Sequence, residues 1–168
     1  VPLTTLWANV HGSFFLGPAI AGIAWLDDLH DRDPGARRPF AGVGAEGKSA
    51  GVTAYMDVGA ASRRVEGGST WYAERVQRSA LNTQCKLLLL THAFEKLDCI
   101  AVEFRTHFFN QQSRRGIERL GAKQDGILRS HQIAPNGTLR DTVVYSIIAS
   151  EWPTVKAHLT YQLNDKPR

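Results

Sequence analysis

A mixed α/β fold is what this sequence predicts, and three observations predict it. A long apolar helix, residues 81–97, has strand-like segments directly before and after it, which makes a strand, helix, strand crossover with parallel strands. A hairpin pattern precedes that crossover. A second hairpin and a closing helix follow it.

The elements can be justified in order. Residues 1–50 are punctuated by Gly and Pro and are weakly periodic, with one helix expected at residues 19–30 and ended by Asp33-Pro34-Gly35. GVTAYMDV and RRVEGGSTWY are rich in β-branched and aromatic residues, and Gly59-Ala60-Ala61-Ser62 between them reads as a hairpin connection, so they form two antiparallel strands. In the long helix Leu81, Cys85, Leu88, Leu89, Ala93, Leu87, Leu90 and Phe94 cover nearly every side, and a helix apolar all round is a buried one. CIAVEFRTHFF sets Ile100, Val102 and Phe104 against Ala101, Glu103 and Arg105, the period of a strand with one protected face.

Asn110 then caps a short helix, QQSRRGIERL, which Gly121 ends; Asn110, Ser113, Ile117 and Leu120 share one of its faces. DGILRSHQI and DTVVYSIIAS, joined through Pro135-Asn136-Gly137, make the C-terminal hairpin. A final amphipathic helix starts near Glu151, with Pro153 tolerated in its first turn.

Composition narrows the function classes. With 168 residues, 43% hydrophobic and 21% charged, the chain reads as one domain over residues 1–168 that buries a core without disulfides or metal. Its longest apolar run, Leu87 to Leu90, is far short of the roughly 20 residues a membrane span needs, and no targeting segment is visible. Cys85 and Cys99 lack metal-ligand spacing and read as reduced thiols of a cytoplasmic protein. The net charge of +4 asks for an anionic partner. Basic residues fall in pairs (Arg37 and Arg38, Arg63 and Arg64, Arg114 and Arg115), not in a dense stripe, so a small phosphorylated ligand fits better than nucleic acid or a membrane.

The most informative stretch is QRSALNTQCKLLLLTHAFEKL, where a short polar loop runs straight into the apolar helix. Such a junction aims unpaired backbone amides and the positive end of the helix dipole at whatever sits beyond the loop, which suits a phosphate.

From Gly51 to Leu159 the chain resembles the GNAT acyltransferases of the RimJ/RimL-type branch, which acetylate amines from acetyl-CoA. RRVEGGSTWY, QRSALNTQCKLLLLTHAFE, NQQSRRGIERLGA, and DGILRSHQ followed by DTVVYSII and EWP carry the likeness, in family order and at family spacing. The resemblance implies a mixed central sheet whose fourth and fifth strands, here residues 63–72 and 99–107, splay apart to admit the pantetheine arm of acetyl-CoA. It makes residues 51–163 the acetyl-CoA-binding core and residues 1–50 an atypical or shortened N-terminal part.

The same resemblance implies site residues. The pyrophosphate loop matches the family pattern Q/R-x-x-G-x-G/A at Gln77, Arg78, Ser79, Ala80, Leu81 and Asn82, with Thr83 following in the helix. Ala80 and Asn82 replace two glycines, which matters because glycines admit close approach and positive φ; one methyl and a residue tolerant of left-handed geometry leave the seat intact. Asn110 and Ser113 match the cofactor-side helix, and at least one of Arg114 and Arg115 is raised to a phosphate contact. Trp71 and Tyr72 border the acyl site, where a strand amide polarises the thioester oxygen.

Acetyl transfer needs a base for the amine and an acid for the leaving thiolate. The helix position where many GNATs place a Tyr acid is Ile117, so Ser113 is the acid by analogy with the Rim-type branch. Glu66 on the splayed strand is the first candidate base, although it could instead pair with Arg63 or Arg64 of its own strand. The Rim-type Glu after the sixth strand is matched by Gln132, which cannot act; His131 beside it, of a type that titrates near neutrality, is the second candidate. The expected activity is acetyl transfer to a primary amine, a protein N-terminus or a small molecule. A non-catalytic acyl-CoA-binding module is the alternative. Phe14, Phe15, Ile20 and Trp25 could cover a second copy, so a homodimer is a further expectation.

Overall fold

An antiparallel meander of three strands, one parallel crossover and a closing hairpin build the sheet that positions the site. The computed structural model describes residues 38–43 and 49–164. They form β1 (Arg38–Val43), β2 (Ser49–Gly59), β3 (Arg64–Tyr72), α1 (Leu81–Glu95), β4 (Ala101–His107), α2 (Gln111–Glu118), β5 (Lys123–Ile133), β6 (Leu139–Ile148) and α3 (Trp152–Asn164). The strands make one six-stranded sheet in the order β1-β2-β3-β4-β6-β5. Among the described residues β3 and β4 are the one parallel pair, as a crossover through α1 requires.

The sheet has a covered face and a polar face. Val65, Val102, Phe104, Val143, Tyr145 and Ile147 project to the covered face, against Leu89, Leu90, Ala93 and Phe94 of α1 and Trp152, Val155 and Leu159 of α3. Strand alternation puts Glu66, Glu103, Arg105, Thr142 and Ser146 on the other face. The short α2 is held at its start by Asn110, whose side chain accepts the Ser113 N–H at 3.0 Å. Gly121 follows with φ +95, a conformation that only glycine enters without strain.

Both hairpins, the parallel crossover, the Asn110 cap and the closing helix lie where the sequence puts them. Three details differ. The helix α1 is not apolar all round: Leu88 is 49% exposed, whereas the charged Lys86 is buried. Ile100, expected inside a strand, is exposed and precedes β4. The strand β1, RPFAGV, had no period to announce it, because Pro39 is compatible with a strand only where its missing N–H costs no ladder bond, as at the sheet edge that β1 occupies. The helix expected at residues 19–30 lies outside the described residues.

Candidate functional site

The two parallel strands part company after three residue pairs. Arg64, Val65 and Glu66 oppose Ala101, Val102 and Glu103, and beyond Glu66 no residue of β3 pairs with β4, although β4 stays paired with β6 along its whole length. A bulge in β3 helps turn it away: Val52 opposes Trp71 and Ala54 opposes Gly68, so Ser69 and Thr70 share the single residue Thr53, and Ser69 takes a left-handed φ of 46. At the apex a Cβ on Gly67 would stand 2.8 Å from the Phe104 ring, so the strands can approach there only because residue 67 has no side chain. The resulting gap exposes the β4-side edge of β3 from Gly67 to Tyr72.

The start of α1 faces the wide end of that gap. Gln84 N–H is the first to enter the helix ladder, bonding Ala80 carbonyl at 2.9 Å, so the amides before it have no intrahelical partner. Leu81 N–H is taken by Ser79 Oγ at 3.3 Å, and Ser79 Oγ in turn donates to Val76 carbonyl at 2.6 Å, which fixes the loop. Gln77 Nε2 ties the same loop to Tyr72 carbonyl at 3.0 Å. The two positions that replace family glycines both take right-handed backbone, Ala80 as the N-cap residue (φ -67) and Asn82 inside the helix. The left-handed residue is instead Arg78, φ 59. Neither replacement needs the tolerance expected of it. Asn82 Oδ1, however, is buried without a hydrogen-bond partner.

Basic groups converge on this end unequally. Arg114 is occupied: Nε donates to Tyr145 Oη at 3.0 Å and Nη1 to Phe108 carbonyl at 3.3 Å, and its guanidinium stacks over the Phe108 ring at 5.1 Å. Arg115 is exposed, with no side-chain partner among the described residues. Arg119, which no sequence pattern singles out, reaches across to Thr83 Oγ1 at 2.9 Å, in the first turn of α1. The same Nη1 also donates to Gln162 Oε1 at 3.1 Å, and an anion at this helix end would gain from both the dipole and the guanidinium.

Glu66 is on the polar face with its side chain 12% exposed. It does not pair with its own strand: Arg63 bonds Asp98, Arg64 reaches Glu103 at 3.4 Å, and the cation paired with Glu66 is Arg105, Nε to Oε2 3.8 Å. Burial raises the Glu66 carboxyl above its ordinary value; Arg105 opposes that, and the neighbouring Asp57 and Glu103 add to it. Ser113 is half-buried at the start of α2, its hydroxyl without a partner among the described residues. His131 Nδ1 lies 3.1 Å from Thr142 Oγ1, and Gln132 is exposed beside it. Thr142 pairs with His107 and Glu66 with Glu103, four residues back along β4 or roughly 13 Å, so the two candidate bases are not neighbours. Ile117 packs on the core. Trp71 is 58% exposed, and the Tyr72 hydroxyl is buried beside the Cys85 thiol.

Known proteins resemble the chain in sequence and in fold. No family model matches the chain. Over 112 residues it is 30% identical to a Bacillus subtilis (strain 168) protein named "Putative ribosomal N-acetyltransferase YdaF", covering 67% of this chain and 60% of that one. It superposes on a GCN5-related N-acetyltransferase from Brucella melitensis with a TM-score of 0.73 at 32% identity, covering 77% of this chain and 58% of that one. With a "putative acetyltransferase" from T. thermophilus the TM-score is 0.71 at 37% identity, covering 78% of this chain and 68% of that one. The chain belongs to the GNAT acetyltransferases. It spans 60% of the curated relative's length, so the GNAT core is present and a sizeable part of that relative has no counterpart in the match. In GNAT terms β3 and β4 are the splayed fourth and fifth strands.

Among the described residues no three His, Cys, Asp or Glu side chains are grouped to hold a metal, and no helix is long and apolar enough to cross a membrane. Cys85 and Cys99 are buried and unpaired.

Proposed function

We propose that this protein transfers the acetyl group of acetyl-CoA to a primary amine. The observation that carries the reading is the parting of β3 and β4 after Glu66 and Glu103, directly in front of the α1 N-terminus. A flexible acyl-CoA arm needs an unpaired strand edge to bond with, and its pyrophosphate needs amides and cations at one end of that edge. Residues present here meet both needs: the β3 edge from Gly67 to Tyr72 for the arm, and the amides of Ser79, Ala80, Asn82 and Thr83 with Arg78, Arg115 and Arg119 for the phosphates. Asn110 and Ser113 line the cofactor side of α2. Arg114 keeps a structural role, in view of its bonds to Tyr145 and Phe108.

Acetyl-CoA supplies the reactive thioester. In the transfer a C–N bond forms, the C–S bond breaks, the amine proton goes to Glu66, a proton from Ser113 goes to the departing sulfur, and solvent then returns a proton to Ser113 and takes one from Glu66. A carboxyl raised by burial is the better base at neutral pH, since proton affinity and ionised fraction are then both substantial. His131 is the second choice as base. The acceptor is a protein N-terminus or a small amine; the name of the Bacillus subtilis relative favours a ribosomal protein. We take the protein to work in the cytoplasm, and a homodimer is consistent with exposed Ile133 and Leu139 on the terminal hairpin.

The second reading, a non-catalytic acyl-CoA-binding module, draws on Ile117 and Gln132 standing at positions where catalytic groups occur in relatives. A thioester-cleavage assay with acetyl-CoA against peptides, amino acids and polyamines separates the two. Turnover that falls in Glu66→Gln and Ser113→Ala supports the enzyme; tight CoA binding with no turnover for any amine supports the module.

A further inference from the structure

Beneath the splayed strands lies a charge that this chemistry does not use. Lys86 of α1 is 5% exposed, and it is the one charged residue in the buried set among the described residues. Its ammonium donates to Thr53 Oγ1 at 2.9 Å and Thr70 Oγ1 at 3.0 Å, and stands 5.5 Å from the centre of the Phe104 ring. No carboxylate among the described residues pairs with it. The titratable groups around it are Cys85 on its own helix and Tyr55 from β2, whose hydroxyl donates to Leu89 carbonyl; β3 and β4 present only Gly67, Thr70, Val102 and Phe104. Tyr55, Leu89, Leu90, Val102 and Phe104 line a small apolar cavity beside Lys86 and Gly67 at the apex of the splay.

A buried ammonium without a counter-ion is costly, so what it serves is worth tracing. The β3 bulge brings Thr70 Oγ1 to 2.9 Å from Thr53 Oγ1. Thr53 is 2% exposed and accepts from Lys86, and among the described residues the one acceptor in reach of its own proton is Thr70. Thr70 oxygen therefore accepts from both Lys86 and Thr53, which fills its lone pairs and leaves its O–H to donate. The contact to Gly68 carbonyl, 3.4 Å, is too long to hold that proton firmly. Thr70 is exposed, on the half of β3 that has no β4 partner.

Resting on the acetyl-CoA reading above, we propose that Lys86, Thr53 and Thr70 form a charged hydrogen-bond relay that presents the Thr70 hydroxyl as a donor to the thioester carbonyl oxygen. Thr70 is the contacting group; Thr53 and Lys86 are positioning residues. A donor backed by a buried cation matters most where negative charge develops, on the carbonyl oxygen as the amine attacks, so the effect falls on turnover more than on binding.

The test uses the whole chain with acetyl-CoA labelled with carbon-13 at the carbonyl. In difference infrared spectra the bound thioester carbonyl stretch moves to lower wavenumber in the wild type and in Thr70→Ser, and returns toward its position in water in Thr70→Val and Lys86→Met. Those last two variants lose on the order of 100-fold in kcat, with the CoA dissociation constant changed less than threefold. A carbonyl stretch that Thr70→Val leaves unmoved, or a CoA dissociation constant that rises as far as kcat falls, overturns the relay. Binding and a Thr70-dependent stretch without turnover for any amine sink the acetyl-transfer reading and leave the relay standing; failure of acetyl-CoA to bind sinks both.

Discussion

One guanidinium serves two carboxylates at the apex of the splay: Arg105 Nε is hydrogen-bonded to Glu103 and lies 3.8 Å from Glu66 Oε2. Burial raises the Glu66 carboxyl, and Arg105 is the strongest influence holding it down. A base works only when deprotonated, so the acidic limb of kcat/KM lies above the ordinary carboxylate range and activity rises with pH through it. Arg105→Gln removes the opposing cation and moves that limb to higher pH, while Glu66→Gln abolishes it with a loss on the order of 100-fold. A limb that stays in place in Arg105→Gln would remove Glu66 from the base role and leave His131.

The half-buried Ser113 and its cap Asn110 separate chemistry from folding. Ser113 contributes only its backbone N–H to the cap, so Ser113→Ala leaves the melting temperature within a degree or two of wild type while kcat falls by at least tenfold. Asn110→Ala removes the acceptor of that N–H and costs about 1 kcal/mol of stability. Paired thermal melts and steady-state kinetics check both. Equal kcat in Ser113→Ala and wild type would assign the acid elsewhere.

Asn82 marks where the loop departs from its family pattern at a cost. Its Oδ1 is buried and unpaired, which is worth about 1–3 kcal/mol of desolvation, and Asn is a poorer helix former than Ala by some tenths of a kcal/mol. The backbone at residue 82 is helical and needs no glycine. Asn82→Ala is therefore expected to raise the melting temperature and to leave CoA affinity within about twofold, read by calorimetry. A fall in affinity beyond tenfold would show that the amide takes part in binding.

Much of this was legible in the chain because hydrophobic periods change abruptly along it. A segment rich in β-branched and aromatic residues at 63–72 gives way to an apolar helix, and strand alternation follows at residues 99–109, an order that suits a parallel crossover. The loop before α1 could be read as an anion seat from its polarity and its junction with the helix. What failed to show was anything that depends on a neighbour from another element. Arg119 gives no hint in sequence of reaching Thr83, and Glu66, whose own strand supplies Arg63 and Arg64, takes its cation from β4 instead. A lysine in an apolar helix reads as a solvent-facing position; Lys86 is buried because two threonines, brought together by a bulge that no residue pattern announced, accept its protons.

Lys86 also predicts a trade of stability against activity. Burial lowers its pKa from 10.5 to about 8, so below pH 8 it is charged in both the folded and unfolded chain and folding bears the desolvation cost. From the size of that shift the cost is about 3 kcal/mol. The unfolded chain binds more protons between pH 8 and 10.5, so Lys86's contribution to stability improves as pH rises through that window. Lys86→Met keeps the volume, and Thr53 and Thr70 still bond each other. The variant is expected to melt several degrees above wild type at pH 7, an advantage that shrinks toward pH 10, even as its turnover falls. Thermal melts at both pH values decide the matter: a variant that melts below wild type at pH 7 would mean that the ammonium's two hydrogen bonds outweigh its burial, and that Lys86 is there to hold the fold.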